Sequence, residues 1–130
     1  MELLDVFRLA TIGKPLRLPP EVIAAYPALA DAHWRVGGFP LRVGGWLLGQ
    51  RGVAGITLGS AVFLANAERS SARLLLHEVA HVRQFRRDKA FPIRYLWESI
   101  CRGYTRNRYE VEADQFAERV LWSSTLPRPS

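Results

Sequence analysis

Two histidines four residues apart, with a glutamate directly after the first, are the residues of this chain best placed to do chemistry: His77-Glu78-Val79-Ala80-His81. On a helix, histidines at i and i+4 lie one above the other, about 6 Å apart at ~1.5 Å rise per residue, so two ring nitrogens can share one metal ion. Two imidazoles, a third protein donor and one open position make a catalytic zinc site, where the metal activates water for hydrolysis. Glu78 projects from the adjacent position, and a carboxylate there can take the water's proton as general base. The same five residues also fit a pair of core histidines hydrogen-bonded to backbone, so the metal assignment turns on a third ligand.

The histidine supply is small. The chain holds His33, His77 and His81, and Gln84 stands where the short-range metzincin extension would place a glycine. A third donor therefore comes from His33, Cys101 or a carboxylate further along. Asn107-Arg-Tyr-Glu-Val-Glu-Ala-Asp-Gln-Phe-Ala117 offers Glu110, Glu112 and Asp114. Glu110 and Asp114 are one helical turn apart, so one can bind the ion while the other accepts the spare N–H of a ligand histidine and fixes its tautomer. Glu110 and Glu112 point about 200° apart on a helix, which lets only one of them face the metal.

The pentapeptide has this meaning only on a helix, and its surroundings predict one from Ser71 to Asp88. No Gly or Pro interrupts the run, its residues are mostly good helix formers, Ser70 is placed as N-cap, and Arg86, Arg87 and Lys89 suit the carbonyl end. Leu74 to Val82 is mostly apolar, which puts both histidines in the buried half. Upstream, Pro19-Pro20-Glu21 opens a short helix to about Ala32 with a kink at Pro27. Strand-like runs follow at Phe39–Gly44, Trp46–Leu48, Ala54–Leu58 and Ala61–Leu64, the last two joined by a tight hairpin through Gly59 and Ser60. Beyond the histidine helix come a helix from about Pro92 to Arg102, a break at Gly103, and a carboxylate-bearing helix from about Thr105 to Trp122. The Pro- and Ser-rich tail, 123–130, is expected to fray.

With these elements in place the sequence resembles a family. His77-Glu-Val-Ala-His-Val-Arg-Gln84, followed by Asn-x-x-Glu-x-Glu-Ala-Asp with Glu110 standing 29 residues after His81, is similar to the gluzincin clan of zinc metallopeptidases. The likeness is closest to its small single-domain members, the minigluzincins and related short bacterial proteins. Ala54 to Leu64 resembles the strand pair that precedes the zinc helix there, so the likeness spans about residues 40–120. The resemblance implies His77 and His81 as zinc ligands, Glu78 as the base, Glu110 as the third ligand and Asp114 as the partner of a ligand histidine. Placing Glu110 at the metal puts Ala113 and Asp114 on its face and turns Glu112, its rival, away. The implied fold is α+β: a small zincin-like domain with a short, mostly antiparallel sheet packed on the zinc helix and a C-terminal glutamate helix. One feature departs from the larger gluzincins, which bring a His or Tyr from a second subdomain to stabilise the oxyanion. No such subdomain is expected after the glutamate helix, and Tyr104, Tyr109 and His33 stand as unranked substitutes.

A chain of 130 residues, 48% hydrophobic, suits one domain, 1–130, with a variable leader over 1–18. A single cysteine excludes an internal disulfide, and Cys101 in its aromatic, apolar stretch reads as a structural thiol before it reads as a ligand. Acidic residues near Met1 argue against a signal peptide, and the uncharged run from Gly52 to Ala67 is too short and glycine-broken for a membrane span; the expected location is cytoplasmic. The net charge of +6 rests on 16 Arg and 2 Lys, many of them between Arg83 and Arg108. That cluster is first a solvated face; nucleic acid, an acidic protein or an anionic membrane is the partner it would otherwise suit. Two classes of function follow. One is a Zn2+-dependent metallopeptidase acting on a peptide or protein laid along an edge strand, for which Ala61–Leu64 is the candidate. The other is a zinc-binding module with little or no turnover, acting as a regulator or interaction subunit. Glu78 favours the first, since a structural zinc needs no base.

Overall fold

The computed structural model describes residues 13–38, 40 and 54–125. Along them run β1 (Lys14–Pro15), α1 (Pro20–Ala25), a 3-10 turn (Pro27–Asp31), β2 (His33–Val36), β3 (Gly55–Leu58), β4 (Ala61–Leu64), α2 (Ala72–Arg87), α3 (Phe91–Arg102), a second 3-10 turn (Tyr104–Arg106) and α4 (Arg108–Thr125). The arrangement is α+β. The strands expected at 39–44 and 46–48, the first residues of the leader and the end of the tail lie outside the described residues. Part of the expected leader is strand: β1 pairs with β2, and Leu16 N donates to Trp34 O at 2.9 Å.

The four strands lie in the order β1-β2-β4-β3. The two outer pairings are antiparallel and the central one, β2 with β4, is parallel. Ala61–Leu64 is therefore a central strand, and the expectation that it forms the edge is wrong. Its sequence carries the reason: Val62, Phe63 and Leu64 are all buried, so both faces are covered, and an unbroken apolar run marks such a strand whereas an edge strand alternates. Among the described residues, the unpaired edge beside α2 belongs to β3. Gly59, at φ +61°, makes the tight turn into β4 in the left-handed conformation that suits glycine.

α1 ends at Ala25, short of Ala32, because Pro27 stops it outright: Tyr26 takes the extended backbone (φ −133°, ψ 80°) that a residue before proline prefers. Ser71, not Ser70, caps α2, its hydroxyl accepting from Leu74 N at 3.1 Å, while Ser70 Oγ donates to Asn66 O at 2.7 Å. α2 lies between the sheet and α4. Leu75, Leu76, Val79 and Val82 pack with Leu29, Trp34, Val62, Leu64 and Ala117 in the core. Ala113 and Ala117, fully buried on α4, leave no bulk to hold that helix away from α2.

Asn107 fixes where α4 begins. Its Oδ1 accepts from Tyr109 N at 2.9 Å, and its Nδ2 donates to Tyr95 O at 3.0 Å and Ser99 Oγ at 2.9 Å. The fully buried amide thus caps one helix and ties it to α3, with its donors and its carbonyl satisfied. α4 consequently starts three residues after the expected Thr105, and Glu110 falls in its first turn, where the helix dipole favours a carboxylate. At the far end α4 continues to Thr125, through part of the segment expected to fray.

Candidate metal centre

His77, His81 and Glu110 come together between α2 and α4, their donor atoms all within 4.8 Å of one another, close enough to hold one metal ion. Glu110 Oε2 is 2.8 Å from His77 Nε2, Glu110 Oε1 is 3.1 Å from His81 Nε2, and the two Nε2 atoms are 3.2 Å apart. Both imidazoles thus aim the same nitrogen at one point, with the carboxylate closing the third side.

The other ring nitrogens are held from behind. His77 Nδ1 lies 2.8 Å from Asp114 Oδ1, and a carboxylate can only accept, so Nδ1 carries hydrogen. His81 Nδ1 lies 2.7 Å from Gln84 Oε1. Gln84 Nε2 donates to Tyr109 O and to Glu112 Oε1, both at 3.0 Å, which fixes the amide orientation and leaves Oε1 to accept from His81. Each Nε2, turned toward Glu110, is then the nitrogen that would meet an ion, the arrangement in which an outer partner sets a ligand's tautomer.

Glu78 faces β3 from α2 and is 5% exposed. Thr57 Oγ1 sits 2.8 Å from Glu78 Oε2 and 3.1 Å from Glu78 O, tying the carboxylate to β3. The strand passes so close that a Cβ at Gly55 would meet Glu78 Cγ and Oε1 at 3.4 Å. A cavity of about 420 Å³ opens here, with Glu78, His81, Glu110, Tyr95 and Tyr104 on its walls and β3 along one flank. Phe91, Leu96 and Ile100 of α3 supply its apolar side.

Charge in the cluster is strongly coupled. Burial works against a charged imidazole at His81, yet the hydrogen bond and charge of Glu110 outweigh it and push the group up to about 9. His77 is raised for the same opposed causes. Burial also opposes ionisation of Glu110, but its hydrogen bonds from His77 and His81 win and hold it well below the usual carboxylate range. Glu78 goes the other way: burial pushes it up, against the nearby His81 and His77 and the bond from Thr57. Two carboxylates beside the same histidines are thus driven apart, Glu110 downward and Glu78 upward.

The remaining candidates sort by position. Glu112 points away from the cluster and pairs with Arg87 at 2.8 Å. Cys101 is exposed on α3 and takes no part, so neither the structural thiol nor the ligand is found. His33 is exposed on β2. Tyr109 is buried against Phe91, and its hydroxyl accepts from Arg108 at 3.1 Å, while Tyr104 lines the cavity. Three residues at the site have no role assigned from the sequence: Thr57, Gln84 and Tyr95, whose hydroxyl donates to Glu110 Oε1 at 2.6 Å. Gln84 had a signal, standing three residues after His81 on the same helix face. Thr57 had a weak one, a polar residue within a short apolar strand. Compared with known proteins, the chain matches no protein-family model, no curated protein and no solved structure, so the chemistry of the site rests on its own geometry.

Proposed function

We propose that this protein is a zinc-dependent peptidase with Glu78 as its general base. The observation that carries the proposal is the place of Glu78: a buried carboxylate, raised above its ordinary range by desolvation, in a cavity wall it shares with His81 and Glu110. A metal held only for structure has no use for such a group, whereas proton transfer near neutrality needs one. Two imidazoles and a carboxylate are a donor set found at catalytic zinc, which takes three protein ligands. Bound by His77, His81 and Glu110, zinc would polarise a carbonyl and acidify a water.

The chain's own groups supply the rest. Glu78 accepts a proton from water in the cavity and returns it to the departing amine. Thr57 holds the carboxylate in one orientation through that exchange. Tyr104, kept protonated by burial and then by the charges of Glu110 and Glu78, is the hydroxyl available to the oxyanion. A peptide added to the edge that β3 leaves unpaired among the described residues would run past Glu78 with its side chains against Phe85 and Phe91.

Glu78→Gln tests this directly, because it removes the base and none of the ligands. The variant should keep about one equivalent of zinc by elemental analysis, keep its fold, and lose hydrolysis of any peptide the wild type cleaves from a broad library. Equal cleavage by Glu78→Gln would exclude the mechanism. A zinc-loaded wild type that cleaves nothing would leave the non-hydrolytic binding module.

A further inference from the structure

We propose that the outer face of α3 is a docking surface for an anionic lipid membrane, on which the protein rests without crossing it. Ile93, Leu96, Trp97 and Ile100 are 76%, 55%, 66% and 70% exposed. Their spacing, i, i+3, i+4 and i+7, makes one continuous stripe along the helix. An ordinary surface helix turns such a stripe inward. α3 instead buries Phe91 and Glu98 on the opposite side and presents the stripe to solvent.

Charge around the stripe selects the partner. Of the five cations from Lys89 to Arg108, Arg94 pairs with Asp88 at 3.3 Å, and Arg102 and Arg108 pair with Glu98, whose side chain is turned inward. Lys89 and Arg106 bracket the helix, both exposed, and neither forms an ion pair among the described residues. An apolar stripe with tryptophan in it and cations at both ends fits the boundary between lipid headgroups and acyl chains: the side chains enter the apolar layer and the cations meet the phosphates. A helix of this length, about 18 Å, lies in that plane, and no described helix is long and apolar enough to cross a membrane.

Other occupants fit less well. Two copies packed stripe to stripe would bring the same unpaired cations together. Nucleic acid would satisfy the cations but leave two isoleucines and a leucine without apolar partners. Leu96 and Ile100 also border the cavity, so a docked protein would hold the cavity mouth at the lipid surface.

The test is co-sedimentation of the full chain with vesicles of phosphatidylcholine and phosphatidylglycerol in equal parts, and with phosphatidylcholine alone. Binding should require the anionic lipid and weaken at about 0.5 M salt, where the screening length falls to a few Å. I93Q/W97Q should lose at least about tenfold in affinity, since two large apolar side chains no longer enter the membrane. K89E/R106E should lose the preference for anionic vesicles. Both pairs are exposed, so unchanged circular dichroism and melting temperature are expected. A polarity-sensitive dye on Cys101, the sole cysteine, should shift to the blue with mixed vesicles only. Binding should be equal with chelator present, which separates this surface from the metal site. The proposal falls if wild type ignores the mixed vesicles, or if I93Q/W97Q binds them equally. It also falls if the dye shifts with protein concentration alone and I93Q/W97Q abolishes that shift, which assigns the face to a second copy. Retention by duplex DNA without vesicle binding would assign the cations to nucleic acid instead.

Discussion

The wall of the site formed by α2 and α4 and the wall formed by α3 are held by different kinds of interaction. α2 and α4 share the buried core and are laced by side chains across their length: Arg73 to Glu118, His77 to Glu110 and Asp114, Gln84 to Glu112 and the Tyr109 carbonyl, Arg87 to Glu112. α3 is tied at Asn107, packs Phe91 against Phe85 and Tyr109, and sends one hydroxyl, that of Tyr95, to Glu110. Its opposite face has no partner in the described fold. The positions of the three metal-directed atoms thus follow from one packed helix pair, while α3 shapes the space beside them. Metal binding and substrate handling should be separable by mutation.

The largest test of that division is loss of a ligand. His81→Ala and Glu110→Ala should each abolish stoichiometric metal uptake, measured by elemental analysis after dialysis against zinc. Glu112→Ala should leave uptake unchanged, because its carboxylate serves Gln84 and Arg87 instead. Equal loss from Glu112→Ala would mean that α4 presents the wrong face. On the α3 side, Tyr104→Phe should keep the metal and lower kcat by about 10²–10³ with little change in KM, the usual cost of one oxyanion donor. Metal loss in Tyr104→Phe would break the separation.

The coupled charges add a dependence on pH. His81 is raised from its ordinary 6.5 to about 9, so its contribution to the metal-free fold is complete below about pH 6.5 and is lost as pH rises through 9. Glu110 is lowered, so its contribution is complete above its ordinary 4.5 and is lost as pH falls below that. Glu78, raised by burial, costs stability as pH rises above its ordinary 4.5, which adds to the loss at His81; in chelator the melting temperature should therefore decline from pH 6.5 toward pH 9. With zinc the alkaline decline should disappear, because the ion replaces the protons that bind the histidines to Glu110 and is favoured as pH rises. A metal-free protein whose melting temperature climbs from pH 6.5 to 9 would contradict the charge arrangement.

What could be read in the sequence divides along the same line. His77 and His81 were legible because a helix repeats every 3.6 residues, and Glu110 with Asp114 because one turn separates them. Those relations are local, and the packing of two long amphipathic helices preserves them. Tyr95 and Thr57 were not legible, because their roles depend on how α3 and β3 dock, over distances along the chain that no periodicity reports. The misplaced edge strand had a different cause: Ala-Val-Phe-Leu lacks alternation, and that lack was itself the sign of a strand buried on both faces. Cys101 was misjudged because α3 reverses the usual rule and exposes its apolar stripe.

The finest test compares one outer partner from each wall. Asp114 holds His77 Nδ1 from α4, and Tyr95 holds Glu110 Oε1 from α3, each through one short hydrogen bond. Asp114→Asn keeps the shape but removes the charge that makes the imidazole a better donor, and zinc affinity should fall about 10 to 100-fold, as for other groups behind a metal ligand. Tyr95→Phe removes a donor from a carboxylate that the metal itself would then neutralise. The bond matters most in the metal-free state, and its loss also leaves Glu110 more available to the ion. These effects oppose each other, so affinity should change by less than about tenfold, and the melting temperature in chelator should fall by more than that of the zinc form. Competition with a fluorescent chelator measures both variants on one scale. A larger loss in Tyr95→Phe than in Asp114→Asn would show that α3 is part of the metal-holding frame, and that the two walls of the site act as one.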